Sequence, residues 1–441
     1  MAWGSSGSFP RAILHIDGDS FFAACEVAKN PSLRGKPVIT GKERGIVSAC
    51  TYEAKTRGVK RGVPLHEALK ACPDAIILPS DYETYSLFSN RMYEIVRRYT
   101  PTVEEYSIDE CFADLTGLRK TLRMPYPKIA ARLQQELERE LGISFSIGVA
   151  PTKVLAKVGS KWKKPHGLTM IPLRDAQLFL KKLPSVGVWG IGPNTAAYLQ
   201  QLGVKTAYEF ASKDEAWIQK HMAKPYREIW RELNGEVVYE LDVEGRESYQ
   251  SISKTKTFTP SSSDPRFVAA QLSKNIENAC IKARRWGLAT PEVFFFLKTQ
   301  DFKYHGCEIK LSHPTCIPSD ILSAVRAQFL RVYKKGTQYR ATGIVLMKLQ
   351  DANKTQLDLF GSVLKTEAAK SVYDSLDEIA AKYGKHAVFL GSSFHAMKPQ
   401  RSKVANHAPI AREEKPARHR ELFRGETERR RLGVASLGSV D

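Results

Sequence analysis

Three acidic residues stand where they could hold a divalent cation. Asp17 closes an apolar run, residues 11–16 (RAILHI), that reads as a buried strand ending at a cleft. Asp109 and Glu110 fall at the apex of a predicted hairpin between residues 103–106 and 111–114. Neighbouring side chains on a straight strand point to opposite faces, but at a turn both can converge on one point. Three hard oxygen ligands from two segments suit Mg²⁺, which prefers carboxylates together with water and phosphate oxygens. Two such ions about 3.5–4 Å apart would stabilise the attacking and leaving oxygens of an in-line phosphoryl displacement. Acidic residues also crowd ordinary surface hairpins, and spacing alone leaves both readings open.

Positioning these groups requires a sheet with helices against it. A helix is expected from Ser20, with Phe21, Ala24, Cys25 and Ala28 on one face. Short strands are expected at 38–40 and 46–48, and a short helix at 64–71. Residues 82–98 read as a long helix carrying Tyr85, Phe88, Met92, Ile95 and Val96 on one side. Residues 127–141 form an amphipathic helix pattern, and 144–149 another strand. This order predicts an α+β domain on a mostly antiparallel sheet. Residues 173–240 are almost wholly helical in pattern. A polar stretch, 242–251, leads to a second α+β unit with strands at 253–258, 293–299, 307–311 and 341–347 and helices at 268–286 and 319–333. The order β-α-β-β-α-β predicts a split βαβ sandwich. A helix is expected at 367–383. The tail beyond 394 is rich in Arg, Lys and Glu and reads as loosely ordered.

The 441 residues carry a net charge of +20 with 42% apolar residues, a composition that excludes wholesale disorder and implies a polyanionic partner. Residues 253–360 hold 17 basic against 8 acidic residues, and 396–441 hold 11 against 6, so nucleic acid is the expected partner. No run approaches the roughly 18–20 apolar residues of a spanning helix, and no strongly amphipathic membrane helix stands out, so no membrane association is expected. Seven scattered cysteines without a C-x-x-C pair point to a reduced, cytoplasmic protein. Residues 1–9 read as an expression remnant.

Several motifs in series carry a resemblance. Ile16–Ala23 (IDGDSFFA) followed by Tyr106–Glu110 (YSIDE) resembles the two catalytic motifs of Y-family translesion DNA polymerases of the bacterial DinB/UmuC class. The resemblance extends from residue 11 to about 395 through Tyr52–Lys55 (YEAK), Gly148–Lys157 (GVAPTKVLAK), Lys164–Gly167 (KPHG) and Val188–Gly192 (VWGIG), in the family's order and spacing. It implies a right-hand architecture: palm at 10–19 and 82–172, fingers at 20–81, helical thumb at 173–241, a linker at 242–252, a little finger at 253–349, a clamp-binding region at 350–361 and an extension at 362–441.

The resemblance implies a role for each matching position. Asp17, Asp109 and Glu110, with the Gly18 carbonyl, would hold two Mg²⁺ ions, with Mn²⁺ as a substitute. Phe21, Phe22, Ser48, Tyr52, Lys55 and Lys164 would meet the incoming dNTP, with Phe22 as the steric gate against a ribose hydroxyl. A triphosphate needs fixed cations while charge moves onto pyrophosphate. Lys55 and Ala49 depart from the polymerase IV pattern, which has Arg and Thr there. Both resemble the polymerase V catalytic subunit, whereas Tyr52 and Phe22 resemble polymerase IV. Primer–template DNA would be gripped by Lys153 and Lys157, by Gly190 and Gly192 in a helix-hairpin-helix turn, and by Lys254, Lys256, Arg284, Arg285 and Arg340 in the little finger. Gln356, Leu357, Leu359 and Phe360 resemble the peptide by which bacterial polymerases dock on the sliding clamp. Residues 361–441 leave room for an accessory subunit.

The expected activity is DNA-templated DNA synthesis by two-metal nucleotidyl transfer, of low fidelity and past damaged bases. The alternatives are a non-catalytic DNA-binding scaffold of the same fold and a polymerase V-like subunit that needs accessory proteins. A metal-dependent nuclease would share the carboxylates but has no need of Tyr52, Lys55 and Lys164.

Overall fold

In a computed structural model of the chain, residues 9, 11–244, 249–352, 362–383 and 387–397 are described. They fall into two compact units, the chain passing from one to the other near residue 245.

The first unit is built on a five-stranded sheet. Its strands are β1 (Ile13–Gly18), β5 (Val103–Ser107), β6 (Glu110–Asp114), β7 (Phe145–Ala150) and β8 (Leu168–Met170), in the order β5-β6-β1-β7-β8. The intervening strands β2 (Val38–Thr40), β3 (Ala49–Cys50) and β4 (Ile76–Leu78) make a separate small sheet, β3-β2-β4. In the large sheet only β7–β8 is parallel. β1 and β7 are buried along their whole length because both sheet faces are covered. Leu14 and Ile16 face a core shared with helices α1 (Phe21–Lys29), α4 (Tyr82–Arg97) and α6 (Tyr126–Leu141). Ile13 and Phe112 face a second core with α7 (Lys153–Trp162) and the helices beyond it. Continuous apolar strands are what a doubly covered sheet requires. Between these lie α2 (Tyr52–Thr56), α3 (Leu65–Ala71) and α5 (Leu118–Thr121).

The strand expected at 46–48 is absent, and the ladder forms instead at β3, with Ile39 opposite Cys50. Gly41 explains the shift. It sits at φ 115°, and a side chain there would come within 2.1 Å of the Ile46 carbonyl. The backbone of 46–48 is thus pressed against a turn, and Ile46 makes only an isolated bridge to Pro64.

Residues 173–240 are helical as expected: α8 (Ala176–Leu180), α9 (Pro193–Gln201), α10 (Ala207–Ala211), α11 (Glu215–His221) and α12 (Lys224–Leu233).

The second unit has strands β9 (Ile252–Ser262), β10 (Leu288–Thr299), β11 (Tyr304–Thr315) and β12 (Tyr339–Met347), antiparallel in the order β11-β10-β12-β9. Helices α13 (Pro265–Arg285) and α14 (Pro318–Val332) cover one face, where Val293, Phe295, Leu297, Ile344 and Leu346 form the core. A short β13 (Gln350–Asp351) pairs with the start of β10. Helix α15 spans Ser362–Tyr383, longer at its start than expected, and α16 is Phe394–Met397. The fold is α+β throughout. Gln356, Leu357, Leu359, Phe360 and the tail from 398 lie outside the described residues.

Candidate active site

Strand register brings two of the three acids face to face. Asp17 on β1 lies directly opposite Glu110 on β6. The Gly18 N–H donates to the Asp109 carbonyl at 2.9 Å, closing the β5–β6 turn over the end of β1. The Ser107 hydroxyl donates to Asp109 Oδ1 at 2.6 Å. Burial pushes the Asp17 carboxyl up to about 6, and Glu110 and Asp109 push the same way against the pull of Lys164. Burial is thus the main cost of the ionised form, and the Lys164 ammonium offsets only part of it.

Two lysines occupy the carboxylates. Lys164 Nζ bonds Asp17 and lies 3.5 Å from Asp19 Oδ1. Lys157 Nζ donates to Glu110 Oε2 at 2.7 Å. Among the described residues no three His, Cys, Asp or Glu side chains are gathered as a ready metal cage. The donor chemistry nevertheless fits a hard cation: carboxylate oxygens, one of them ionised only at a cost that added positive charge would offset.

Asp19, which motif reading passed over, is buried and held by the Ser146 hydroxyl at 2.8 Å and the His166 N–H at 2.8 Å. It ties the loop carrying Lys164 to the end of β1. The repeated acid in Asp17-Gly18-Asp19 was the available signal.

On the facing side, α2 presents Tyr52 and Lys55. Lys55 Nζ lies 4.1 Å from the centre of the Tyr52 ring and donates to the Ser20 hydroxyl at 2.7 Å. Burial holds the Lys55 ammonium below its usual range, and Lys164 adds to the effect. Burial, then Asp19 and Asp17, push the Tyr52 hydroxyl up to about 12. Ser48 Oγ is buried with no hydrogen-bond partner. The α1 N-terminus follows Ser20 without a side-chain cap. Phe22 is half-buried, stacked on Tyr85 at 4.5 Å and edge-on to Tyr82 at 5.4 Å. The Phe21 ring is buried in the core, packed against Gly18.

Several expected DNA contacts are corrected. Lys153 is buried and bonded to Glu104 at 2.6 Å, and Lys157 serves Glu110. Arg284 forks onto Asp377 at 2.7 and 2.8 Å and donates to the Cys316 carbonyl at 3.1 Å. In each case the helix turns the cation inward, where an unpaired charge would be too costly to bury. Lys254 and Lys256 do share one strand face, but it is the helix side, opposite Ile344 and Thr342. Lys254 there is held below its usual range by burial, then by Lys282 and Arg285, making a cationic rim. Arg285 is exposed, and Arg340 lies over Phe302. Gly190, at φ 89°, makes room for Ile229. Gly192 opens α9 with free space beside it.

The chain matches the impB/mucB/samB family over residues 16–161 and that family's C-terminal domain over 249–359. It is 32% identical over 385 residues to DNA polymerase IV of Caulobacter vibrioides, covering 86% of this chain and 93% of the relative. It is 34% identical over 347 residues to DNA polymerase IV of Streptococcus pyogenes, covering 77% and 94%. The solved Y-family DNA polymerase chimera Dbh-Dpo4-Dbh superposes with a TM-score of 0.65 at 25% identity, over 77% of this chain and 99% of the other. Fold and site together are of the Y-family DNA polymerase class. The chain belongs to the impB/mucB/samB family.

Proposed function

We propose that this chain is a DNA-directed DNA polymerase that extends a primer 3′ end and copies damaged templates with low fidelity. The observation that carries the reading is the facing pair Asp17 and Glu110 beside Lys164 and Lys55. Carboxylates for cations and cations for a triphosphate meet at the end of one strand. A scaffold would have no use for that pairing, and a nuclease none for the triphosphate side.

The reaction is metal-dependent. Asp17, Asp109 and Glu110, with the Gly18 carbonyl, would hold two Mg²⁺ ions, or Mn²⁺ in their place, supplying charge stabilisation for in-line transfer from the primer hydroxyl. Tyr52, Lys55, Lys164, Ser48 and the uncapped start of α1 bind and orient the incoming triphosphate. Phe22 meets the sugar. The division proposed is palm at 10–19 and 82–172, fingers at 20–81, thumb at 173–241 and little finger at 253–349. Gly192, Lys256, Arg285 and Arg340 remain available to the phosphates of primer–template DNA. Gln356–Phe360 docks on the bacterial sliding clamp, and the extension beyond it offers a surface to an accessory subunit. No helix among the described residues is long and apolar enough to cross a membrane, and a cytoplasmic setting fits the reading.

Primer extension with purified protein, Mg²⁺ and dNTPs on undamaged and abasic templates tests it. Wild type extends both, and Asp109→Ala loses at least about a thousandfold in rate while retaining primer–template binding. Full extension by Asp109→Ala would defeat the catalytic assignment.

A further inference from the structure

Phe302 bears two costs at once. It lies in the turn between β10 and β11 at φ 67°, the left-handed region where a bulky residue is an outlier and Gly or Asn the ordinary choice. The residue is also 59% exposed. The turn does not need that ring to close. Phe302 N–H donates to the Thr299 carbonyl at 3.1 Å, Thr299 N–H to the Lys303 carbonyl at 2.9 Å, and Lys303 N–H to Thr299 Oγ1 at 3.1 Å. Strain and exposure together, in a turn whose backbone closes without the ring, mark a position kept for something else.

Its surroundings are aromatic and cationic. The Arg340 guanidinium lies 4.2 Å from the Phe302 ring centre and Lys298 Nζ 4.9 Å. Lys298 also donates to the Tyr304 hydroxyl at 2.8 Å, and Tyr304 is itself 60% exposed. From Tyr304 a file of rings runs along the sheet: Phe296 at 5.3 Å, then Phe294 a further 6.1 Å on. These rings occupy the face away from α13 and α14, since the alternate residues Phe295 and Leu297 fill the core. Gly343 and Gly306 let them lie close to the sheet, because a side chain at either would strike Phe296 or Phe294 within 2.5 Å. The carboxylates of this face, Glu292 and Glu308, belong to the other end, where Glu292 pairs with Lys348 at 2.5 Å, and Asp301 in the turn itself is taken up by the Thr299 hydroxyl and by Lys303 at 3.0 Å.

We propose that this hairpin tip is a stacking site for an unpaired nucleic-acid base, with Phe302 and Tyr304 as the platform and Arg340 and Lys298 as cations for the flanking phosphates. The proposal rests on the polymerase reading and adds what this element holds: single-stranded template. Aromatic rings stack on an open base face, and a duplex shows only base edges in its grooves. Arginines alone would serve for phosphate contact, and an exposed strained Phe would be unnecessary.

The test uses the full chain with a short oligothymidylate and a blunt duplex, titrated at several salt concentrations. Phe302→Asn is expected to weaken oligothymidylate binding about tenfold, with the salt slope and duplex affinity unchanged. Its thermal midpoint should hold or rise, because Asn tolerates the left-handed conformation. Phe302→Trp should keep the affinity, with the added indole quenched by the oligonucleotide. Unchanged oligothymidylate affinity in Phe302→Asn, or an equal loss on the blunt duplex, would overturn the proposal. So would a fall in midpoint with no change in affinity, which would assign the ring to turn packing. Wild type that binds duplex but no oligothymidylate overturns the stacking site alone. Wild type that binds neither DNA overturns the polymerase reading with it.

Discussion

Lys157 and Glu110 are bonded at 2.7 Å, with the lysine 4.3 Å from the Tyr106 ring centre and 5.0 Å from that of Trp189. Trp189 belongs to the turn that opens α9, so the loop expected to touch DNA reaches a carboxylate of the candidate site through one ammonium group. Lys157 touches the carboxylate and not the triphosphate side. Lys157→Met is therefore expected to lower kcat about 10–100-fold with little change in the KM for dNTP, and Lys157→Arg to restore part of it. Single-nucleotide insertion kinetics separate the two constants.

Asp17 predicts a pH-dependent stability. Burial pushes its carboxyl up to about 6 from an ordinary value of 3.8. The folded state holds the proton more tightly, so the ionised group opposes folding. The deficit is full above about pH 6, on the order of 2–3 kcal/mol, shrinks as pH falls through 6, and is gone below about 4. Asp17→Asn should melt higher than wild type at pH 8 without divalent ions, the gap closing toward pH 4. Calorimetry across that range checks the sign.

Phe22 stacked on Tyr85 presents a ring held in place from behind. Phe22→Ala should open space for a ribose hydroxyl and relax selection against ribonucleotides by about a hundredfold. The ratio of kcat/KM for dATP and ATP opposite template T measures it. Equal ratios in variant and wild type would move the gate elsewhere.

Replacing both Leu359 and Phe360 with Ala removes the apolar anchors expected to fill a clamp pocket. Extension of bare primer–template should be unaffected, and stimulation by a loaded bacterial clamp lost. Processivity assays with and without clamp distinguish this from loss of basal activity, which would place the two side chains in packing of the second unit.

The positions of Asp17 at a strand end and Glu110 at a hairpin were legible because an apolar run and a turn are local signals, but spacing left their role open and only the family resemblance supplied one. The β-α-β-β-α-β order of the second unit was legible for the same reason, since periodicity of two or 3.6 residues is written into consecutive positions. The short strand at 46–48 was misplaced because a close backbone approach at Gly41 overrides propensity, and nothing in the run itself announces it.

Local sequence by itself determined the kinds of group present, the excess of cations and the order of the elements. It could not determine which cation meets DNA. Lys153, Lys157 and Arg284 read as basic helix residues, yet their partners Glu104, Glu110 and Asp377 come from segments 49, 47 and 93 residues away. Lys254 and Lys256 alternate correctly along β9, but the face they share is set by pairing with β12. Tertiary structure decided these assignments because a charge settles against whatever opposite charge the folded chain brings within reach. That partner is fixed by helix rotation and strand register, which no single segment encodes.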